Sequence, residues 1–134
     1  MLRFADDNST AYGLALIVNP KFAAAKPQAL RGFLRAVTAG LQATITSPAK
    51  AVDDVLQQID NGVRDLELAR LRAVLHDNIV TPDVKRHGLG GLDLKRFATS
   101  VGELAEDFKF TTTPVMGDIF DASFLPDATL RKVE

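Results

Sequence analysis

Proline follows a residue with a side-chain oxygen at four places, and this pattern divides the chain into helical segments. The pairs are Asn19-Pro20, Ser47-Pro48, Thr81-Pro82 and Thr113-Pro114, and Lys26-Pro27 is a further candidate. At a helix start the oxygen accepts a bond from a backbone N–H that has no other partner, and proline at the first helical position loses no needed donor. The pattern therefore predicts a mostly α-helical chain with helices beginning at these prolines.

Apolar residues recur at spacings of three and four between these starts, which predicts amphipathic helices. The longest stripe consists of Leu30, Phe33, Leu34, Val37, Leu41 and Ile45. Others cover residues 52–59, ending at Asn61-Gly62, and residues 65–79. A short helical turn is expected at 81–86, a glycine turn at 88–91, a long helix capped by Asp93, and a last turn near 116–120.

Two short apolar runs near the amino terminus, residues 2–5 and 14–18, predict β-strands. The second is continuously apolar between Gly13 and Asn19, which is typical of a strand buried on both faces. The residues thus predict a short strand pair followed by a helical array. No linker divides the chain, so residues 1–134 are expected to form a single domain.

Composition excludes several classes of partner. Sixteen basic and seventeen acidic residues give a net charge of −1, without the basic cluster that binding to nucleic acid requires. The longest apolar run, residues 14–18, is far shorter than the roughly 20 residues of a membrane-spanning helix. The chain has no cysteine for a disulfide or a thiolate site. Asp6 and Asp7 precede any apolar region, so no signal peptide is expected.

No residue set matches a catalytic or metal-binding pattern. His76 and His87 lack the spacing of a metal site, and the glycines at 88–91 lack that of a phosphate-binding loop. Carboxylate pairs such as Asp53-Asp54 and Glu106-Asp107 are typical of a solvated helix face. We therefore expect a protein that is not an enzyme and that has no metal or cofactor.

The polar loop at residues 6–13 is the segment best suited to contact a ligand. It lies between the two predicted strands and contains Tyr12, the chain's one tyrosine. Loops in such positions often carry binding residues. Asp7, Asn8 and Tyr12 are the predicted ligand-binding residues, and an ordinary hairpin loop is the alternative interpretation.

The order of these features resembles a known family. YGLALIVNPKF at residues 12–22, followed by KPQALRGFLRA at 26–36, is similar to solute-binding proteins of ABC importers in the nitrate, sulfonate, taurine and thiamine-pyrimidine group. SPAKAV at 47–52 and the GLG turn at 88–90, with Asp93, resemble further pieces of that pattern in the same order. The resemblance therefore extends over nearly the whole chain.

This resemblance implies an α/β type II periplasmic-binding fold, whose two lobes close on a small molecule before docking on a membrane permease. The chain would be the carboxy-terminal part of such a protein, which is located in the periplasm. Its solute would be a small organic or inorganic anion or a pyrimidine-like molecule. A related branch contains an enzyme of thiamine-pyrimidine synthesis, but its cysteine-rich motif is absent here.

Two further expectations follow from the small number of predicted strands. Two strands alone do not make a stable sheet, and the apolar helix faces would be exposed in a lone chain. A homo-oligomer formed by strand pairing or helix exchange is therefore expected. The alternative to a solute-binding function is a small helical protein-interaction module that has lost its solute.

Overall fold

A computed structural model describes residues 11–133 of the chain. In this described part the α-helices are α1 (Pro20–Ala25), α2 (Pro27–Thr46), α3 (Pro48–Leu56), α4 (Arg64–Val74), α5 (Pro82–His87), α6 (Leu94–Asp107) and α7 (Met116–Ile119). Leu75–Ile79 continue α4 as a π-helix, and Ala122–Phe124 and Ala128–Arg131 form 3₁₀-helices. None of the described helices is both long and apolar enough to cross a bilayer.

Most of the predicted helix starts are confirmed. α1, α2, α3 and α5 each begin at the proline of a predicted pair. The Asn19 side chain accepts a hydrogen bond from the backbone N–H of Lys21 at 2.9 Å. Thr81 Oγ1 accepts one from Val84 at 3.2 Å. These oxygens thus satisfy N–H groups that have no partner within the helix.

The predicted helix start at Thr113-Pro114 is wrong. Val115 has an extended backbone, with φ −79° and ψ 136°, and α7 begins only at Met116. The prediction near 116–120 is confirmed, since α7 covers four of those residues. Pro114 therefore belongs to the loop before α7 and is not the first residue of the helix.

The predicted strand at residues 14–18 is also wrong. This segment is irregular, and the side chains of Leu14 and Ile17 are 104% and 96% exposed. A strand needs a neighbour to pair its N–H and C=O groups, and residues 11–133 provide none. The other predicted strand, at residues 2–5, lies outside the described residues. The α/β assignment with two amino-terminal strands is therefore corrected to a helical array over the described part, and the mostly helical prediction is confirmed.

The predicted start of α6 is confirmed, but α3 ends at Leu56, before the end predicted at Asn61-Gly62. Asp93 caps α6, and its Oδ1 accepts from the backbone N–H groups of Lys95 and Arg96, both at 3.0 Å. Asn61 has φ +63°, as expected of a left-handed turn residue after α3. The helix predicted over 65–79 is observed as α4 and its π-helical continuation. The π-helix was not predicted.

The hydrophobic core of the described part is thin. Its buried apolar side chains are Leu30, Val52, Leu75, Leu89 and Ala105. The accessible surface is 10227 Å², whereas a compact monomer of 14.5 kDa exposes roughly 6,900 Å². Some members of the predicted apolar stripes are exposed, including Phe33 on α2 and Phe108 after α6.

Hydrogen bonds from long side chains hold the carboxy-terminal segment on α2. Arg31 Nη1 donates to the Ser123 carbonyl at 3.0 Å, and its guanidinium lies 5.1 Å from the centre of the Phe124 ring. Gln42 Nε2 donates to the carbonyls of Leu130 and Lys132 at 3.0 and 2.9 Å. These bonds join residues about 90 positions apart, so they supply tertiary contacts that the small core does not.

Two matched truncations test this distribution of burial. Leu30→Ala removes a side chain that is 4% exposed, and we expect it to lower the free energy of unfolding by about 2–5 kcal/mol. Leu14→Ala removes one that is fully exposed, and we expect a change within about 0.5 kcal/mol. Urea unfolding followed by circular dichroism measures both. A loss as large for Leu14→Ala as for Leu30→Ala would show that residue 14 is buried in solution.

Candidate functional site

Tyr12 lies where the segment before α1 meets α5 and α6. Its hydroxyl oxygen accepts a hydrogen bond from the Asp93 backbone N–H at 2.9 Å, and its O–H makes a longer contact of 3.4 Å with Asp83 Oδ2. These partners follow it by 81 and 71 positions. The other two predicted ligand-binding residues, Asp7 and Asn8, lie outside the described residues. The structure thus connects the end of the 6–13 loop to the second half of the chain.

Asp83 is the central charge of this site. Its Oδ2 accepts from Arg96 Nη1 at 2.7 Å, its Oδ1 accepts from Arg86, and its side chain is only 16% exposed. Burial opposes the charged form of the carboxyl, but the hydrogen bonds and charges of Arg96 and Arg86 outweigh it and hold the pKa of Asp83 below its usual value. Asp83 is therefore ionised at neutral pH.

Arg96 contacts the amino-terminal segment at two points. Its Nη2 donates to the Ala11 carbonyl at 3.0 Å, and its guanidinium lies 4.5 Å from the centre of the Tyr12 ring. This distance is within the range of a cation–π interaction. The Phe97 ring packs edge-on against Tyr12 with 6.2 Å between ring centres, and Phe120 packs on Phe97 at 6.3 Å. Tyr12 is thus held by polar and aromatic contacts together.

The surroundings of Tyr12 keep its phenol neutral. Burial raises the pKa of Tyr12 above its usual value, and the negative charge of Asp83 raises it further. The Asp93 N–H and the Arg96 charge oppose this shift without cancelling it. The hydroxyl is therefore protonated at neutral pH and acts as a donor toward Asp83.

Local sequence explains why these side chains converge. Asp83 lies in the first turn of α5, just after the Thr81 cap, and Arg96 lies in the first turn of α6, just after the Asp93 cap. Both helix starts were predicted, but neither Asp83 nor Arg96 was singled out. Their contact depends on the fold of the 88–91 turn, where Gly88 and Gly90 have φ +76° and +73°. No short-range pattern in the sequence marks the pair.

Three of the other polar residues considered in the sequence, Asp53, Asp54 and His76, lie in ion or hydrogen-bond pairs. Asp53 binds Arg64 at 2.5 Å, and Asp54 binds Lys50 at 2.6 Å, all on exposed side chains. His76 Nδ1 lies 2.7 Å from Asp77 Oδ1. Among residues 11–133 no group of three or more His, Asp or Glu side chains is placed to hold a metal ion.

Comparison with known families supports part of the resemblance. The model of the NMT1/THI5-like family matches residues 1–51. This match contains residues 12–22 and 26–36, which carry most of the resemblance, and it confirms that this part of the chain is similar to the family. The pieces at 88–93 lie beyond the match. No curated protein and no solved structure matches the chain.

Asp83→Asn tests the charge at the centre of the site. A carboxyl whose pKa is lowered by folding stabilises the folded state above its unfolded pKa of about 3.9, and this contribution disappears as the pH falls through the folded value. We expect Asp83→Asn to cost about 1–3 kcal/mol at pH 7 and progressively less below about pH 4. Urea titrations at a series of pH values measure the difference.

Asp54→Asn is the matched control, because Asp54 is 58% exposed and, among residues 11–133, its ion pair is with Lys50. We expect it to cost at most about 0.5 kcal/mol at pH 7. If Asp83→Asn cost the same at pH 7 and at pH 3, the loss would not come from the ionised carboxylate.

Proposed function

We propose that this chain acts as a solute-binding component of an ABC importer, as the carboxy-terminal part of the binding protein. Its solute is a small organic or inorganic anion or a pyrimidine-like molecule. The observation that carries the proposal is the match of residues 1–51 to the NMT1/THI5-like family. The matched segment includes the whole 6–13 loop.

The contacts of Tyr12 support a binding role for this loop. Its hydroxyl and one ring face are already occupied by Asp93, Asp83 and Arg96, so Tyr12 fixes the point where the loop joins the helices. In the proposal Asp7 and Asn8 supply polar contacts to the solute. Tyr12 contributes the remaining part of its ring, because its polar atom is used within the protein.

We infer a role in binding and delivery without a chemical step. In this proposal the chain works in the periplasm, and an ABC permease receives the solute. The match of residues 1–51 to the NMT1/THI5-like family supports this assignment. The arginines beside Tyr12 hold a carboxylate of the protein itself, which favours a positioning role for them.

A thermal-shift panel of nitrate, sulfonates, pyrimidines and aromatic acids tests the proposal. A solute present at about 100 times its Kd stabilises the folded state by about 2.7 kcal/mol and raises Tm. We expect at least one compound to do so and Asn8→Ala to reduce the shift. Asn78→Ala, at an exposed asparagine in the π-helix, is the control and should keep the shift. No shift with any compound at millimolar concentration would contradict the proposal.

A protein-interaction module is the second candidate, and a cleft between α3 and α4 favours it. The cleft has a volume of about 160 Å³ and is lined by Ala51, Val52, Val55, Leu56, Ile59, Glu67 and Leu71. Val55 and Ile59 are exposed although they line an apolar surface. Such a groove suits the apolar face of a helix, including a helix from a second copy of the chain. Helix exchange is thus the proposed route to a homo-oligomer.

Sedimentation velocity at micromolar concentrations tests this candidate. We expect the unmodified chain to form a dimer and Val55→Asp with Ile59→Asp to weaken the dimer by about 10-fold or more, because a buried unpaired charge is costly. Val115→Asp changes an exposed apolar residue outside the cleft and should leave the dimer intact. A monomer at every concentration would rule out the homo-oligomer.

A further inference from the structure

Four basic residues line a second concave surface, between the end of α5 and the carboxy-terminal segment. Lys85, Arg86 and His87 come from the end of α5, and Lys132 comes from the carboxy-terminal segment. Among residues 11–133, Gly88, Ala128 and Val133 also line this basic pocket, whose volume is about 350 Å³. Small-molecule sites typically have volumes of about 300–1,000 Å³. No carboxylate of residues 11–133 is part of the lining.

Arg131 fixes the two walls of the basic pocket to each other. Its Nη1 donates to the carbonyls of His87 and Leu89, both at 3.0 Å, and its own carbonyl accepts from the Leu89 N–H at 2.7 Å. The backbone approach is close at Gly88, where an added Cβ would lie 3.0 Å from Arg131 Cβ. The positive φ of Gly88 further favours glycine. The pocket is therefore formed before any ligand binds.

A second set of bonds holds Lys132 in place. The Gln42 side chain on α2 donates to the Lys132 and Leu130 carbonyls. The main chain on both sides of Arg131 is thus bound to α2. Because the walls are already ordered, a ligand would lose little free energy in organising them.

The charges of the basic pocket are incompletely balanced. Within residues 11–133 no carboxylate forms an ion pair with Lys85 or Lys132, and Arg86 shares Asp83 with Arg96. The negative end of a helix dipole favours basic residues in the last turn of α5. That effect does not account for Lys132, which comes from another segment. Converging like charges favour binding of an anion.

We propose that the basic pocket binds a small dianion, a metabolite that carries a phosphate or two carboxylates. Lys85 and Lys132 act as its charge partners from opposite walls, and Arg86 and His87 supply further N–H donors. None of residues 11–13 belongs to the described lining of the pocket, and the inference does not depend on the solute-binding proposal. Phosphate and dicarboxylate share the required chemistry, so the experiment includes both.

Titration of the ¹⁵N-labelled chain with inorganic phosphate, succinate and acetate at constant ionic strength tests the proposal. We expect saturable shifts of the amide signals of residues 85–89 and 128–133 with at least one dianion. Its Kd should be lower than that of acetate by about 10-fold, because acetate carries one charge. Whichever of phosphate and succinate has the lower Kd shows whether the pocket prefers a phosphate group or two carboxylates. Absence of saturable binding by both dianions would overturn the proposal.

Charge-matched variants distinguish dianion binding at this pocket from non-specific electrostatic attraction to the whole protein. We expect Lys85→Gln with Lys132→Gln to weaken dianion binding by about 10-fold. Lys21→Gln with Lys26→Gln changes the net charge equally, and Lys26 lies roughly 24 Å along α2 from Gln42 at 1.5 Å per residue. This control should retain binding, and an equal loss in both variants would refute a local site.

Two further measurements keep the result interpretable. Thermal unfolding of each variant without ligand should match that of the unmodified chain, since Lys85 and Lys132 are exposed. Asn8→Ala should leave dianion binding at residues 85–89 unchanged. A dianion whose affinity depended on Asn8 and not on Lys85 and Lys132 would be bound at the 6–13 loop, and the basic-pocket proposal would fail.

Discussion

Scarce apolar burial is the constraint on which the described structure depends. Leu30, Val52, Leu75, Leu89 and Ala105 are its buried apolar side chains. The helices nevertheless adopt a defined arrangement, because long polar side chains bind main-chain carbonyls far away in sequence. Arg31, Gln42, Arg96 and Arg131 each form such bonds. A bond of this kind contributes about 0.5–1.5 kcal/mol, so it defines position more than it adds stability.

The same constraint changes the interpretation of Tyr12. An exposed loop tyrosine would offer its hydroxyl to a ligand, but here Asp93 and Asp83 already occupy that group and Arg96 covers the ring. Its contacts therefore attach the amino-terminal side of the described chain, where Leu14 and Ile17 are exposed, to α5 and α6. These contacts give Tyr12 a role in positioning the loop that ends at residue 13. The proposed function adds that the Tyr12 ring also contacts the solute.

Features decided within a few residues were predictable from the sequence. Asn19, Thr81 and Asp93 form the expected caps because an N-cap bond spans two or three residues. The strand at 14–18 failed because a strand exists only with a partner, which local apolarity does not reveal. Asp83 and Arg96 were missed for the same reason, since each is an ordinary charged residue of a first helical turn. The bonds of Gln42 to Lys132 and of Arg131 to His87 bring Lys132 to the basic pocket. No spacing rule in the sequence predicts such long-range contacts.

Arg86 connects the Tyr12 site to the basic pocket. Its guanidinium binds Asp83, and the same residue belongs to the lining of the pocket. Asp83 also binds Arg96 at 2.7 Å, so the carboxylate keeps a charged partner whatever Arg86 does. The pocket likewise has Lys85 and Lys132, which take no part in the Tyr12 contacts. The two regions therefore share one residue but have separate principal charges. Substitutions at Lys85 and Lys132 should for this reason act on the pocket and leave the contacts of Tyr12 in place.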